Sequence, residues 1–266
     1  MNFSAIGIIE TILALLLLIF VHETGHLLVA KLFRVQVNEF MLGMGPKITS
    51  FKRGETEYAF RALPIGGACV LEGEDEDSDN PRAFTNKPAR VRALVLAAGS
   101  LMNFALAIVV LAMVIFFTYI PQMQASFVEG LLFFFRSFGY AVEYAATLMR
   151  MMVEVLGQLV TRKIGMDGVT GPIGMASAFS ETAEMGPGYL WQLVALISLN
   201  LGIVNLLPFP ALDGGRLIFL VIRKITGKRV TNQVEGMFHL VGIMLLFAFM
   251  IFITFQDVGR FIVHKE

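Results

Sequence analysis

The sequence predicts an all-α polytopic membrane protein, with four transmembrane helices and a small β element on the cytoplasmic side. Three observations predict it. Of 266 residues, 56% are apolar and only 16% charged, against roughly 25% charged in a soluble domain, and mean hydropathy is +0.71. Four apolar stretches, about 6–30, 92–120, 189–207 and 238–255, are each long enough to cross about 30 Å of hydrocarbon. Lys and Arg are also shared unevenly between the connections, as membrane topology requires.

The first stretch runs through the apolar residues Ile12 to Val21. It has no basic segment before it and no small-x-small cleavage site after its core, so it reads as a retained span and not a leader. Ten Lys or Arg residues lie between Lys31 and Arg92, and Arg216, Arg223, Lys224, Lys228 and Arg229 follow the third span. By the positive-inside rule both connections face the cytoplasm. Four spans then place both termini outside, together with segment 121–188, which carries only Arg136, Arg150, Arg162 and Lys163.

Within the first connection, Lys47–Arg53 and Thr56–Ala62 flank Gly54-Glu55, the pattern of a β-hairpin. Pro64-Ile65-Gly66-Gly67 is expected to break it, and the acidic run Glu72–Asp77 reads as a solvated loop. In the outer segment, Leu131–Phe135 is apolar but too short to span. Residues Ser137–Val160 repeat Tyr140, Tyr144, Leu148, Met151 or Met152, and Val155 at helical intervals, as a surface amphipathic helix would. The whole chain, 1–266, reads as one membrane-embedded domain, with the β element at about 47–70. Near-zero formal charge predicts no nucleic-acid partner. The one cysteine, Cys69, cannot form an internal disulfide and reads as a buried thiol.

The chemistry starts at His22-Glu23-Thr24-Gly25-His26, at the end of the first apolar run. Histidines four apart share a helix face and can hold one zinc ion. Glu23, one position round, is placed to work on water as a general base and return the proton to a leaving nitrogen. Ionisable residues at the end of a lipid-embedded span are costly unless functional. A catalytic zinc wants three protein ligands. His239 and His264 are the other histidines, and the strongest carboxylate candidate is Asp213 in Asn205-Leu206-Leu207-Pro208-Phe209-Pro210-Ala211-Leu212-Asp213-Gly214-Gly215. Two prolines break that helix and two glycines loosen the backbone after the acid. A broken helix at membrane depth must line protein or a cavity, although a helix-capping aspartate would read the same way. Asn205 on that element could donate to substrate backbone or to a developing oxyanion. Gly99-Ser100-Leu101-Met102-Asn103 opens the second span; its small residues permit close approach, and Asn103 needs a partner, in the site or in a structural contact.

The chain resembles the site-2 protease family of intramembrane zinc metalloproteases, of the bacterial regulated-proteolysis type. The matching pieces are His22–His26, Phe60–Gly67, Ala98–Phe104, Gly171-Pro172-Ile173-Gly174 and Asn205–Gly215, in the family's order. The resemblance implies Zn2+ held by His22, His26 and Asp213, with Glu23 as general base. It implies a membrane-associated β element around Tyr58–Val70 that takes substrate as an added strand, with Phe60, Ala62, Leu63, Gly66 and Gly67 in substrate binding beside Asn205 and Asn103. It further implies a multi-pass protein of the bacterial inner (plasma) membrane, with the active site toward the cytoplasm. Its substrates would be single-span transmembrane proteins or leftover signal peptides. The chain departs from the family between Pro121 and Val169, where relatives usually carry a PDZ domain and this segment is too short and too apolar for one. Two other readings compete: a non-catalytic client-binding protein of the same fold, and a metal transporter. A transporter needs polar ligands staged along several spans, and only Glu10 and His239 stand out there.

Overall fold

The computed structural model describes residues 5–123, 126–163, 165, 170–226 and 232–263. His264, Lys228 and Arg229 lie outside them. Seven α-helices appear among the described residues: α1 (Ala5–Leu32), α2 (Ala89–Tyr119), α3 (Phe127–Val160), α4 (Pro172–Met185), α5 (Pro187–Asn205), α6 (Asp213–Thr226) and α7 (Asn232–Val263). Two strands, β1 (Val37–Arg53) and β2 (Thr56–Leu71), lie between α1 and α2. Among the described residues, four segments are long and apolar enough to cross a membrane: Gly7–Leu32, Ala89–Gln122, Pro187–Asn205 and Gln233–Gly259. The third therefore stops at Asn205, two residues before the sequence reading placed its end.

The chain divides into two compact units. One comprises the described parts of Met1–Thr11, Phe104–Leu201 and Ala248–Glu266. Its core is built from small residues: Ala107, Leu111 and Ala112 of α2, Ala141 and Ala145 of α3, and Ala195 and Leu199 of α5. Without bulky side chains the helices approach closely, which is how packing holds helices together where water does not drive them. Helix α3 starts ten residues before the expected Ser137, so Leu131–Phe135 is part of it and not a separate element. The signal is a capping box: Ser126 accepts from the Glu129 amide, and the Glu129 carboxylate accepts from the Ser126 amide at 2.8 Å. Where a PDZ domain would sit, the described residues hold this helix and no strand. Helix α4 was not foreseen, and it accounts for Gly171-Pro172-Ile173-Gly174. Pro172 occupies its first turn, and the Gly174 N–H donates to Asp257 Oδ2 at 2.9 Å. A Cβ on Gly171 would stand 2.8 Å from that oxygen, so the glycines leave room for a carboxylate at a helix N-terminus.

The second unit comprises Ile12–Asn103 and Gly202–Phe247. Helix α1 ends in a Schellman turn, with Val35 N–H donating to Ala30 C=O and Arg34 N–H to Lys31 C=O, and with Arg34 in the left-handed region at φ 54°. That turn delivers Val35 and Val37 into a core with Ala30, Leu71, Phe84, Val91, Val95 and Leu96. The hairpin turn falls at Gly54-Glu55 as expected, with Gly54 at φ 65°. Its tip is tied down by Glu55, which meets Lys31 Nζ at 2.8 Å and both Arg82 terminal nitrogens at 2.7 Å. Arg82 first and Lys31 second hold its carboxyl down to about 2.

Pro64-Ile65-Gly66-Gly67 does not break the strand. β2 continues to Leu71 because the irregularity is absorbed by register shifts, with Gly66 at φ 75°. The consequence is a folded-over sheet. Phe40 is registered with both Tyr58 and Cys69, Met41 with Ala59 and Ala68, and Leu42 with Phe60 and Gly67. The 67–71 stretch is thus registered with β1 alone.

The acidic run is not a simple solvated loop either. Glu72 accepts from Asn38 and Ser78 at 2.7 Å each. Glu74 and Asp75 pair with the two terminal nitrogens of Arg216 on α6 at 3.2 and 3.0 Å. Burial pushes the Glu74 carboxyl up while Arg216 pulls it back.

Candidate metal centre

His22 and His26 project from one face of α1, and both are buried. Their Nε2 atoms lie 3.2 Å apart. Asp213, the first residue of α6, places Oδ2 3.2 Å from His22 Nε2 and 3.4 Å from His26 Nε2. Burial pushes the Asp213 carboxyl up, but the two imidazoles beside it hold it well below the ordinary carboxylate range. Oδ2 is buried and makes no hydrogen bond. Three acceptor-capable atoms thus converge around a buried carboxylate oxygen that has no hydrogen-bond donor, an arrangement that is costly unless a cation joins them. The nearest point equidistant from the three, in their own plane, lies about 1.9 Å from each, so a point slightly off that plane meets the roughly 2.0–2.2 Å that zinc keeps from nitrogen and carboxylate oxygen. Among the described residues this is the one group of His, Cys, Asp and Glu with metal-ligand geometry.

Each imidazole is oriented from behind. His26 Nδ1 lies 2.8 Å from the Val95 carbonyl. A carbonyl only accepts, so Nδ1 carries the proton and Nε2 keeps its lone pair for a metal. Asn103 Nδ2 lies 3.2 Å from His22 Nδ1. An Asn amide exchanges its oxygen and nitrogen by a half-turn, and with the oxygen on this side it accepts the Nδ1 proton. Asn103 is fully buried beside His22. Asn205, the last residue of α5, puts Nδ2 3.4 Å from His22 Nε2.

Two glycines let α1 and α2 meet closely enough for this. A Cβ on Gly25 would stand 2.8 Å from the Ala98 carbonyl carbon, and one on Gly99 would stand 2.6 Å from His22 Nε2 and collide with His26. Gly99→Ala should therefore push the imidazoles apart and lose most bound metal and activity. The control is Gly139→Ala, where nothing stands within 4 Å. Metal content of the two purified variants checks the difference.

The turn before α6 departs from its sequence reading. Gly214 and Gly215 are helical and are not needed for an unusual φ. They are needed for space: a Cβ on Gly214 would collide with the Leu206 and Leu207 carbonyls, and one on Gly215 would stand 3.0 Å from the Phe209 carbonyl carbon. The left-handed residue is Ala211, at φ 75°, a conformation that costs a non-glycine residue about 1–2 kcal/mol.

Of the β-element residues assigned to substrate by resemblance, Gly67 stands beside the centre: its Cβ position is 3.2 Å from Glu23 Cγ. Phe60, Ala62 and Leu63 lie along β2, with Phe60 38% and Leu63 55% exposed. Gly66 supplies the bulge. Sequence reasoning missed the Val95 carbonyl and the close approach of Gly25.

A family model described as Peptidase family M50 matches residues 10–249. A Clostridium acetobutylicum protein is 30% identical over 96% of this chain and 98% of its own length. Zinc metalloprotease RasP of Geobacillus kaustophilus is 26% identical over 96% of the chain and 98% of itself. The regulator of sigma-W protease RasP of Bacillus subtilis is 25% identical over 95% and 99%. The alignments run over 332 and 417 positions for the Clostridium and Bacillus proteins, so both relatives carry residues with no counterpart among the 266 here.

Proposed function

We propose, because the chain belongs to Peptidase family M50, that it is an intramembrane zinc endopeptidase that cleaves single-span membrane proteins within or near their transmembrane segments. The observation that carries the reading is the convergence of His22, His26 and Asp213 beside Glu23 on a span-forming helix. The cofactor is Zn2+, with those three residues as its ligands. When bound, zinc supplies Lewis-acid polarisation and lowers the pKa of water.

The chain's own residues do the rest. Glu23 accepts a proton from the attacking water and passes it to the leaving nitrogen. Asn205 offers amide N–H groups to the substrate carbonyl as charge develops on it. A transmembrane helix shields its own amides, so the substrate must unwind before hydrolysis. The 67–71 stretch of β2, registered with β1 on one side, can take over the freed backbone hydrogen bonds. Ile48, Phe51 and Leu63 are 64%, 65% and 55% exposed on the sheet, which suits a β element lying against lipid.

The protein sits in a bacterial plasma membrane with both termini outside and the site toward the cytoplasm. The Bacillus subtilis relative's name, regulator of sigma-W protease, favours a client that signals by regulated proteolysis; leftover signal peptides are the second client class.

The test is cleavage of a single-span substrate by the purified chain in detergent. Chelation should abolish it and zinc should restore it. Cleavage that survives complete removal of metal, or a metal-loaded chain that cuts no membrane-spanning peptide, would sink the reading.

A further inference from the structure

His239 on α7 is buried and belongs to no ligand set. Its ring is held on α6 by Phe219, with ring centroids 6.0 Å apart. The Ala211 N–H donates to its Nδ1 at 2.9 Å. A backbone N–H can only donate, so Nδ1 presents a lone pair and the ring proton sits on Nε2. Nε2 faces Glu235 Oε1 at 4.0 Å, beyond hydrogen-bond reach, and Glu235 is itself clamped by Arg223 at 2.5 Å. One turn further along α7, Gly242 lies against Pro210: a Cβ there would stand 2.5 Å from the Pro210 carbonyl carbon. His239 and Gly242 thus grip consecutive residues, Pro210 and Ala211, from one face of α7.

That grip falls on the weak point of the site. Ala211 holds its left-handed φ of 75° without being glycine, and Asp213 follows two residues later. The Ala211 amide is the donor that α7 captures, so the bond fixes the direction in which the chain enters α6.

We propose that His239 is a positioning residue for the third metal ligand: by accepting the Ala211 N–H it locks the Pro210–Leu212 turn and so aims Asp213 at His22 and His26. The proposal rests on the metalloprotease reading, but it is tested by metal affinity and not by cleavage. Partners behind a metal ligand typically carry about 10–100-fold in affinity. His239→Leu, which removes the acceptor, should weaken zinc binding of the full chain by that range in competition with a graded chelator. His239→Asn sets an amide oxygen near the place of Nδ1 and should stay within a few-fold of wild type. His239→Gln sets its oxygen near the place of Nε2 and should bind as weakly as the leucine variant. Adding Ala211→Gly to His239→Leu removes the strain the bond opposes and should recover part of the loss.

Wild-type affinity in His239→Leu overturns the proposal. So does Gln matching or exceeding Asn, a comparison that remains available if the leucine variant does not fold. A wild-type chain that binds zinc in this order of variants yet cleaves nothing overturns the protease reading and leaves this one standing.

Discussion

Glu23→Gln should lower cleavage by about 10²–10⁴-fold, the range that a positioned general acid–base contributes, and leave zinc content unchanged. The two halves of that result have separate causes. Glutamine keeps the shape of glutamate and fills the same space beside Gly67, where Glu23 Cγ already sits 3.2 Å from the glycine's Cβ position. It cannot take a proton, so water must be deprotonated without help and the leaving nitrogen departs unassisted. The candidate ligand group does not include Glu23, and on α1 the residue points about 100° round from His22. Zinc retention should therefore match wild type. Single-turnover cleavage of a single-span peptide, with metal content measured on the same preparation, checks both halves. Equal cleavage by the two proteins would remove Glu23 from the mechanism. Lost zinc would mean that it serves the metal and not the water.

What the sequence disclosed about this centre depended on how local each feature is. His22 and His26 are one helical turn apart, so their pairing follows from periodicity alone. Asp213 was legible because prolines and glycines punctuate the chain around it, and those marks survive without knowing the fold. Their meaning was only half read: the glycines after Asp213 provide space for the Leu206–Phe209 carbonyls, and the strained backbone lies at Ala211, a residue that carries no such mark. The Val95 carbonyl that orients His26 is a backbone group from another helix and leaves no trace in residue type. Arg216 and the acidic run were both visible as charges, yet nothing in a string of charges says that Glu74 and Asp75 close on that arginine. The four candidate spans were legible because crossing lipid demands long apolar runs. The continuation of β2 through Pro64–Gly67 was not, because a bulge lets a strand carry residues that ordinarily end one.

Asp213→Ala should cost more zinc affinity than any substitution behind the ligands, beyond the roughly 100-fold upper range of such outer partners, and should abolish cleavage. Two imidazoles remain after the change, and a catalytic zinc site ordinarily keeps three protein ligands. The loss is also electrostatic. Asp213 is the one carboxylate in the candidate ligand group, and its Oδ2 has no hydrogen-bond donor to lose, so the substitution frees no other group to compensate. Asp213→Asn separates the two effects. The amide is nearly the same size and can turn its oxygen toward the metal, but it brings no charge, so it should bind zinc between wild type and the alanine variant. Calorimetric or chelator-competition titration of the three proteins in detergent, with folding monitored by thermal unfolding of the metal-free chains, checks the ranking. Full zinc affinity in Asp213→Ala would show that the third ligand lies elsewhere. An asparagine variant as weak as alanine would show that charge, and not merely an oxygen at that position, is what α6 delivers to the two histidines.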